Sequence, residues 1–570
     1  MKRLIAAVMA LVFVAAPALA DPAPRVAPSL AAHTAEFDQA ILNPAPGVYV
    51  AVGYGLANSI MVVGRTGVVI IDTLDSLDEA RKVWAAFEPL AGGRPVVAII
   101  YTHNHNDHIN GASAFPLAPG GKIIAQASLM AEAAKWNGVA APAIAARAAR
   151  MFGPFLPRGE TGVVNAGIGP GLTAFRGGMG FVPPNTTFDE ALDITLGGER
   201  FQIRHAPGET DDQLFVWLPD RRVLMPGDNI YRAFPNLYTI RGTSYRDPVK
   251  WADSLDRMRA LGAVALVPSH TRPVTGEATI RALLTDYRDA IRFVHDQTVR
   301  WMNQGLSPDE VVERVRLPQR LAANPFLAEH YGTVEWSVRS IFAGYMGWFG
   351  GDAAFLSSDP PKTRAQEIVD LAGGGAPALA QAQKAFDEGR YKWAAELCAY
   401  IAMADDAQAP AARALEARAL RQLGYDSVSP NGRNYYLTQA GQLEGKIPTW
   451  GTIIAANAGN QAGRLRLDQV MATFPVRLNA EKAANVTGAL ALHFTGDDPG
   501  DWTIVVRQGV VELQPRLAAD APLTVTTTKL DWIGALQGPA QFQAALAAGK
   551  VKIDKGDVAG LAAFLSLFRE

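Results

Sequence analysis

One cysteine, Cys398, is all that 570 residues contain. That excludes an intrachain disulfide and any zinc knuckle built on cysteine pairs. Charge of either sign is not in excess: 53 Lys+Arg against 55 Asp+Glu leaves −2. A nucleic-acid-binding protein carries a clear basic surplus, and this chain has none. Uninterrupted apolar runs of membrane-spanning length, roughly 20 residues, are also missing from the sequence. What is present reads as a folded protein, with 49% hydrophobic and 19% charged residues, too apolar for disorder. A chain of this length has room for several domains. Histidine is scarce at nine, yet three of the nine fall between positions 103 and 108.

The N-terminus reads as an address. Lys2 and Arg3 precede an apolar run over residues 4–16, and Ala18-Leu19-Ala20 is a small-x-small cleavage site. Residues 1–20 are therefore expected to be a secretory signal peptide cut after Ala20. The mature protein is then periplasmic or secreted, and one cysteine tolerates that oxidising compartment without using it.

Short apolar strands are predicted within residues 47–74, followed by a helix over 77–88 and a strand from Pro95. Further strands are predicted over 199–205, 213–218 and 222–225, with a helix over 247–261 and a strand over 264–268. This alternation argues for one αβ domain up to about residue 300. From residue 287 to 424 the pattern is helical, with a hairpin over 378–403 that breaks at Asp405-Asp406. Tyr391, Trp393, Leu397 and Tyr400 lie at helical spacing and form either a dimer stripe or a core face. After about residue 440, ALALHFT, WTIVVRQ, VVELQP and LTVTTT form a meander closed by two helices.

Chemistry concentrates at strand ends. Thr102-His103-Asn104-His105-Asn106-Asp107-His108 follows an apolar strand directly. His103 and His105 share a face if the chain stays extended, and the next turn brings in Asp107 and His108. Neutral imidazole and carboxylate are zinc ligands. Three later strands break at Pro or Gly beside one more ligand type each: Pro207-Gly208-Glu209, Pro226-Gly227-Asp228 and Pro268-Ser269-His270.

This order, HxHxDH, a PG-ligand turn, a GD turn and a strand-end His, resembles the metallo-β-lactamase superfamily. The second segment reads PGET rather than PGHT, and a carboxylate there is similar to the alkylsulfatase branch, the group III sulfatases. Asn236-Leu237-Tyr238-Thr239-Ile240-Arg241-Gly242, Tyr331-Gly332-Thr333-Val334-Glu335-Trp336-Ser337 and Gly347-Trp348-Phe349 look like further strings of that branch. Residues 390–397, RYKWAAEL, look like its dimerisation helix, and the last domain like its sterol-carrier-like (SCP2-like) module.

The resemblance implies an α/β fold class. A metallo-β-lactamase αββα sandwich over 21–300 is followed by an all-α dimerisation domain over 301–440 and an α+β sterol-carrier-like domain over 441–570. It implies two Zn²⁺ per chain. His103, His105 and Glu209 would hold one; Asp107, His108 and His270 the other; Asp228 would bridge them. The family's bridge is commonly Glu, so Asp228 is one methylene short. Asn236 and Arg241 would bind sulfate, Arg241 also serving catalysis, with Arg246 a lesser candidate; a guanidinium fork suits sulfate oxygens. His205 has the spectator place, and His33, His295, His330 and His493 read as structural or solvent-facing. The implied activity is hydrolysis of alkyl sulfate esters to alcohol and sulfate by a zinc-activated water in a homodimer. Two other readings stay open: an aryl sulfate or phosphate ester hydrolase with the same centre, and a lipid- or surfactant-binding protein with a structural metal.

Overall fold

The computed structural model describes residues 22–173, 177–404, 407–457 and 465–569. The expected signal peptide and the Asp405-Asp406 break lie outside the described residues.

Two sheets stack face to face. The first has seven strands in chain order, from Ala40–Ala45 to Thr186–Phe188. Its first four pair antiparallel and the rest join in parallel. The second runs Val274–Thr275, Ala265–Leu266, Val223–Met225, Leu214–Leu218, Glu199–His205, Ala191–Leu196. Strand Val68–Ile71 shows how residues set the layers. Val69 and Ile71 enter the core between the sheets with Ile203, Val216 and Met225. Val68 and Ile70 turn outward onto Val83 and Phe87 of helix Leu77–Ala91. Side chains alternate along a strand, so a strand covered on both faces is apolar throughout.

That outer helix starts at Ser76, whose hydroxyl accepts from Glu79 N at 3.4 Å, and stops at Gly92 with φ +61°. On the far side, helices Pro248–Arg259 and Glu277–Met302 bury Trp251, Leu255 and Leu284 against Phe215, Trp217 and Leu224. The order is helix, sheet, sheet, helix. Val311, Leu321, Val338 and Ile341 belong to the same core. The expected boundary at residue 300 falls inside Glu277–Met302, and the chain just beyond it packs back onto the sandwich.

Helices Pro361–Leu371, Gly375–Asp387, Tyr391–Met403, Ala409–Asp426 and Pro430–Leu443 form the all-α part. The Tyr391–Tyr400 stripe turns out to be mainly a core face. Leu397 is 3% exposed, Tyr391 and Tyr400 pack against the helical core, and only Trp393 is exposed, at 43%. The last part is a five-stranded sheet, ordered Val510–Gln514, Gly500–Arg507, Thr487–Thr495, Leu523–Thr528, Val551–Lys555. Helices Lys529–Ala535, Pro539–Ala547 and Val558–Ser566 cover it, burying Trp532, Phe542 and Phe564. Among the described residues no helix is long and apolar enough to cross a membrane.

Candidate metal centre

Four chain segments meet at one end of the sandwich. His103 and His105 follow strand Val96–Ile100, and the short helix Asn106–Ile109 carries Asp107 and His108. Glu209 lies between Glu199–His205 and Leu214–Leu218. Asp228 sits on the turn Gly227–Asn229 after Val223–Met225, and His270 follows Ala265–Leu266. Gly227 has φ +59°, the left-handed region that favours glycine ahead of Asp228, and a Cβ there would fall 2.0 Å from Gln213 Nε2.

The side chains gather into two triads: His103, His105 and Asp228; Asp107, His108 and His270. Within each, the ligand-type atoms lie within 4.8 Å of one another. Asp228 Oδ2 reaches both groups, at 3.7 Å from His103 Nε2, 3.4 Å from His108 Nε2 and 3.1 Å from His270 Nε2. Glu209, expected beside His103 and His105, is held instead by Arg246, with Nη1 to Oε1 at 2.7 Å. The same Nη1 donates to the Asn236 carbonyl at 2.6 Å.

These residues fit a divalent metal. Three buried atoms in the group have no hydrogen-bond partner: His108 Nε2, Glu209 Oε2 and Asp228 Oδ1. Buried polar atoms are nearly always satisfied, so three orphans in one cluster call for a ligand. The opposite ring nitrogens are already engaged. His108 Nδ1 lies 2.8 Å from Asp72 Oδ2, His103 Nδ1 3.1 Å from Thr102 Oγ1, and His270 Nδ1 2.9 Å from the Leu56 carbonyl. Such partners fix each imidazole with its other nitrogen turned toward the rest of the cluster, where that of His108 has no hydrogen-bond partner. Electrostatics separate the carboxylates. Burial raises the pKa of Glu209, against the pull of Arg246. Burial pushes Asp228 the same way, but His108, His270 and His103 outweigh it and hold Asp228 well below the carboxylate range.

Arg241 stands at the edge of the cluster, its Nη2 3.2 Å from His105 Nε2. Asn236 is 1% exposed, and neither atom of its amide has a partner. His205 lies apart, 2.7 Å from the Asp211 carbonyl. His33 stacks on His330 at 4.3 Å, His295 bonds Asp296 and Tyr345, and His493 bonds Asp501; none joins the triads.

The residue that sequence reasoning misses is Asp72. Fully buried, it accepts from Thr102 N, Thr102 Oγ1, Ser269 Oγ and His108 Nδ1, and so ties three of the site's segments together. The signal was present: an acid at the end of the apolar run VVII, as at the other ligand positions. The Arg246–Glu209 pair is missed as well, because 37 positions separate its members.

Comparison with known proteins gives the same three parts in the same order. Residues 52–270 match the Metallo-beta-lactamase superfamily, 307–446 match Alkyl sulfatase dimerisation, and 455–570 match Alkyl sulfatase C-terminal. A linear primary-alkylsulfatase of Pseudomonas sp. is 38% identical over 524 residues, covering 89% of this chain and 98% of its own. The chain belongs to the alkylsulfatase branch of the metallo-β-lactamase superfamily. Within that branch, an (R)-specific secondary-alkylsulfatase of Pseudomonas sp. is 31% identical over 96% of this chain and 83% of its own. The solved structure of the stereoselective inverting sec-alkylsulfatase Pisa1 from Pseudomonas sp. superposes with a TM-score of 0.85 at 29% identity, covering 96% of this chain and 87% of that one. The αββα unit, the helical unit and the α+β unit described above are the branch's three parts in the branch's order.

Proposed function

We propose that this protein hydrolyses alkyl sulfate esters to alcohol and inorganic sulfate at a centre of two zinc ions. His103, His105, Asp107, His108, Glu209, Asp228 and His270 would hold them, Asp228 between the triads and Glu209 through the oxygen that Arg246 leaves free. Bound there, zinc supplies Lewis acidity and a water whose pKa is lowered toward neutrality. The chain's own groups do the rest. Arg241 and the unpartnered Asn236 amide bind sulfate oxygens, and the guanidinium stabilises charge while the ester bond breaks. Asp72 keeps His108 in one tautomer and one orientation. Arg246 holds Glu209 to a single free oxygen. Three carboxylates against two divalent cations leave one positive charge, which matches a monoanionic ester.

Membership of the alkylsulfatase branch supports the substrate class, and the two triads with their three orphaned atoms support the metal. Sulfate release from dodecyl sulfate, set beside turnover of an aryl phosphate by the same zinc-loaded preparation, tests it. Faster turnover of the phosphate would overturn the reading.

We further propose a homodimer exported after cleavage following Ala20. Residues 307–446, matching Alkyl sulfatase dimerisation, support the dimer. So does a run of exposed apolar side chains at Tyr345, Met346, Trp348, Phe355 and Leu356. Light scattering of the mature protein tests the dimer, and N-terminal sequencing of the exported protein tests the cleavage.

A further inference from the structure

Arg241 sits in a tight turn. Gly242 N donates to the Thr239 carbonyl at 2.9 Å, which makes Ile240 and Arg241 the two central residues of a β-turn. Type I and type II turns differ by a flip of the peptide between those two residues, and the flip changes the backbone angles of the second one. Arg241 keeps a negative φ, which a type II turn would not allow. The direction of its side chain therefore depends on which way the Ile240 carbonyl faces.

Arg147 holds that carbonyl. Its Nε and Nη2 both donate to Ile240 O, at 3.0 and 2.7 Å. Two donors from one planar guanidinium leave the peptide little freedom to rotate. Arg241 Nη2 then lies 3.2 Å from His105 Nε2.

Arg147 belongs to helix Ala141–Phe152. Ile144 and Met151 lie three residues before it and four after, on the same face, and they meet the same turn. Ile144 Cγ1 is 3.8 Å from where a Cβ on Gly242 would stand, and Met151 Sδ is 3.2 Å from Thr239 Oγ1. The rest of the helix is held from outside the sandwich. Arg150 Nε donates to Gln442 Oε1 at 2.8 Å, and Asn434 Nδ2 donates to the Met151 carbonyl at 3.2 Å. Ala146 and Ala149 pack on Ile453.

We propose that Arg147 is a positioning residue for sulfate ester cleavage: it fixes the Ile240–Arg241 peptide and so aims the Arg241 guanidinium at the sulfate. The inference rests on the alkyl sulfate reading, since the turn bears on turnover only if Arg241 meets the substrate. Arg147 acts through a backbone carbonyl rather than on the ester. Its helix is anchored by Gln442 and Asn434 of the all-α part, which thereby bears on the sulfate site.

The test is a double-mutant cycle on the zinc-loaded protein, reading kcat for dodecyl sulfate together with zinc content. Arg147→Gln removes the charged two-donor grip. Its kcat is expected to fall by about 10- to 100-fold, the order that follows from displacing a group at the reacting centre by up to about 1 Å, with zinc content unchanged. In an Arg241→Lys background the same substitution is expected to cost less than about threefold, because the group it positions is gone. A purely structural role costs the same factor in both backgrounds. That result overturns the proposal and leaves the alkyl sulfate reading standing, as does a wild-type kcat in Arg147→Gln. Arg147→Lys keeps the charge and one donor; it is expected to recover part of the loss, and it carries the cycle if Arg147→Gln does not hold zinc. Loss of zinc or of the fold in both variants makes Arg147 structural and overturns the proposal. A wild type that releases no sulfate from dodecyl sulfate overturns the alkyl sulfate reading, and the positioning role with it.

Discussion

Asp72→Asn asks most of the metal centre while changing its shape least. Asparagine keeps the side-chain outline and tolerates the φ of +58° found there. The carboxylate accepts one bond at Oδ1, from Thr102 N at 2.8 Å. It accepts three at Oδ2: His108 Nδ1 at 2.8 Å, Ser269 Oγ at 2.7 Å and Thr102 Oγ1 at 2.9 Å. An amide has one oxygen for these four donors. With that oxygen at Oδ2, the amide N–H₂ faces Thr102 N–H, and a buried donor goes unsatisfied at about 1–3 kcal/mol. With the amide turned, N–H₂ faces His108 Nδ1 and forces the imidazole proton onto Nε2, the atom aimed into the cluster. Either arrangement removes the negative charge that makes His108 a better donor to a metal. Losing such a partner weakens metal affinity by about 10- to 100-fold, or about 1.4–2.7 kcal/mol. The Asp107–His108–His270 triad should lose zinc first, in competition with a chromophoric chelator, while circular dichroism still reports a folded chain. A folded variant that holds both zinc ions at wild-type affinity would refute the reasoning.

Asp228→Ala removes an oxygen within 3.7 Å of histidines in both triads, so elemental analysis should find less than half the wild-type metal; His205→Ala, outside the cluster, should leave metal content unchanged. Arg241→Lys keeps one charge but loses the fork. Turnover of alkyl sulfates is expected to fall by about 10² or more with metal content and melting temperature intact; wild-type activity per bound metal would remove Arg241 from the sulfate pocket. Asp212 is wholly buried, and burial pushes its pKa up to about 7. Unfolded, it ionises at about 4. Its folded form therefore binds a proton that the unfolded form has lost, and stability falls as pH rises from about 4 through about 7. Asp212→Asn avoids that loss, so its melting-temperature advantage over wild type should grow between pH 5 and pH 8. A pH-independent difference would contradict this.

Much of the site was legible because the fold puts ligands where apolar strands break. Seven positions share that signature, and six of them fall into the two triads. Glu209 shares it too, but its carboxylate is claimed by Arg246, and no spacing rule links positions 37 apart. Asp72 was overlooked for a different reason: a lone acid after a strand is common, and only the fold shows four donors converging on it. Strand Leu117–Gln126 escaped because Pro119-Gly120-Gly121 reads as a turn; in the structure it is an irregularity within a parallel pairing. The Tyr391–Tyr400 helix was legible as a helix but not as to which surface it covers, since periodicity reports an apolar face and not its partner.

The central claim is that one bimetallic site, built by these seven residues, cleaves alkyl sulfates. The measurement that tests it most directly is sulfate release from dodecyl sulfate as zinc is added back, stepwise, to the chelator-stripped mature protein. Activity should be absent without metal, rise with zinc and level off at about two ions per chain. A protein carrying two zinc ions that releases no sulfate, or one fully active after metal is removed, would contradict the account.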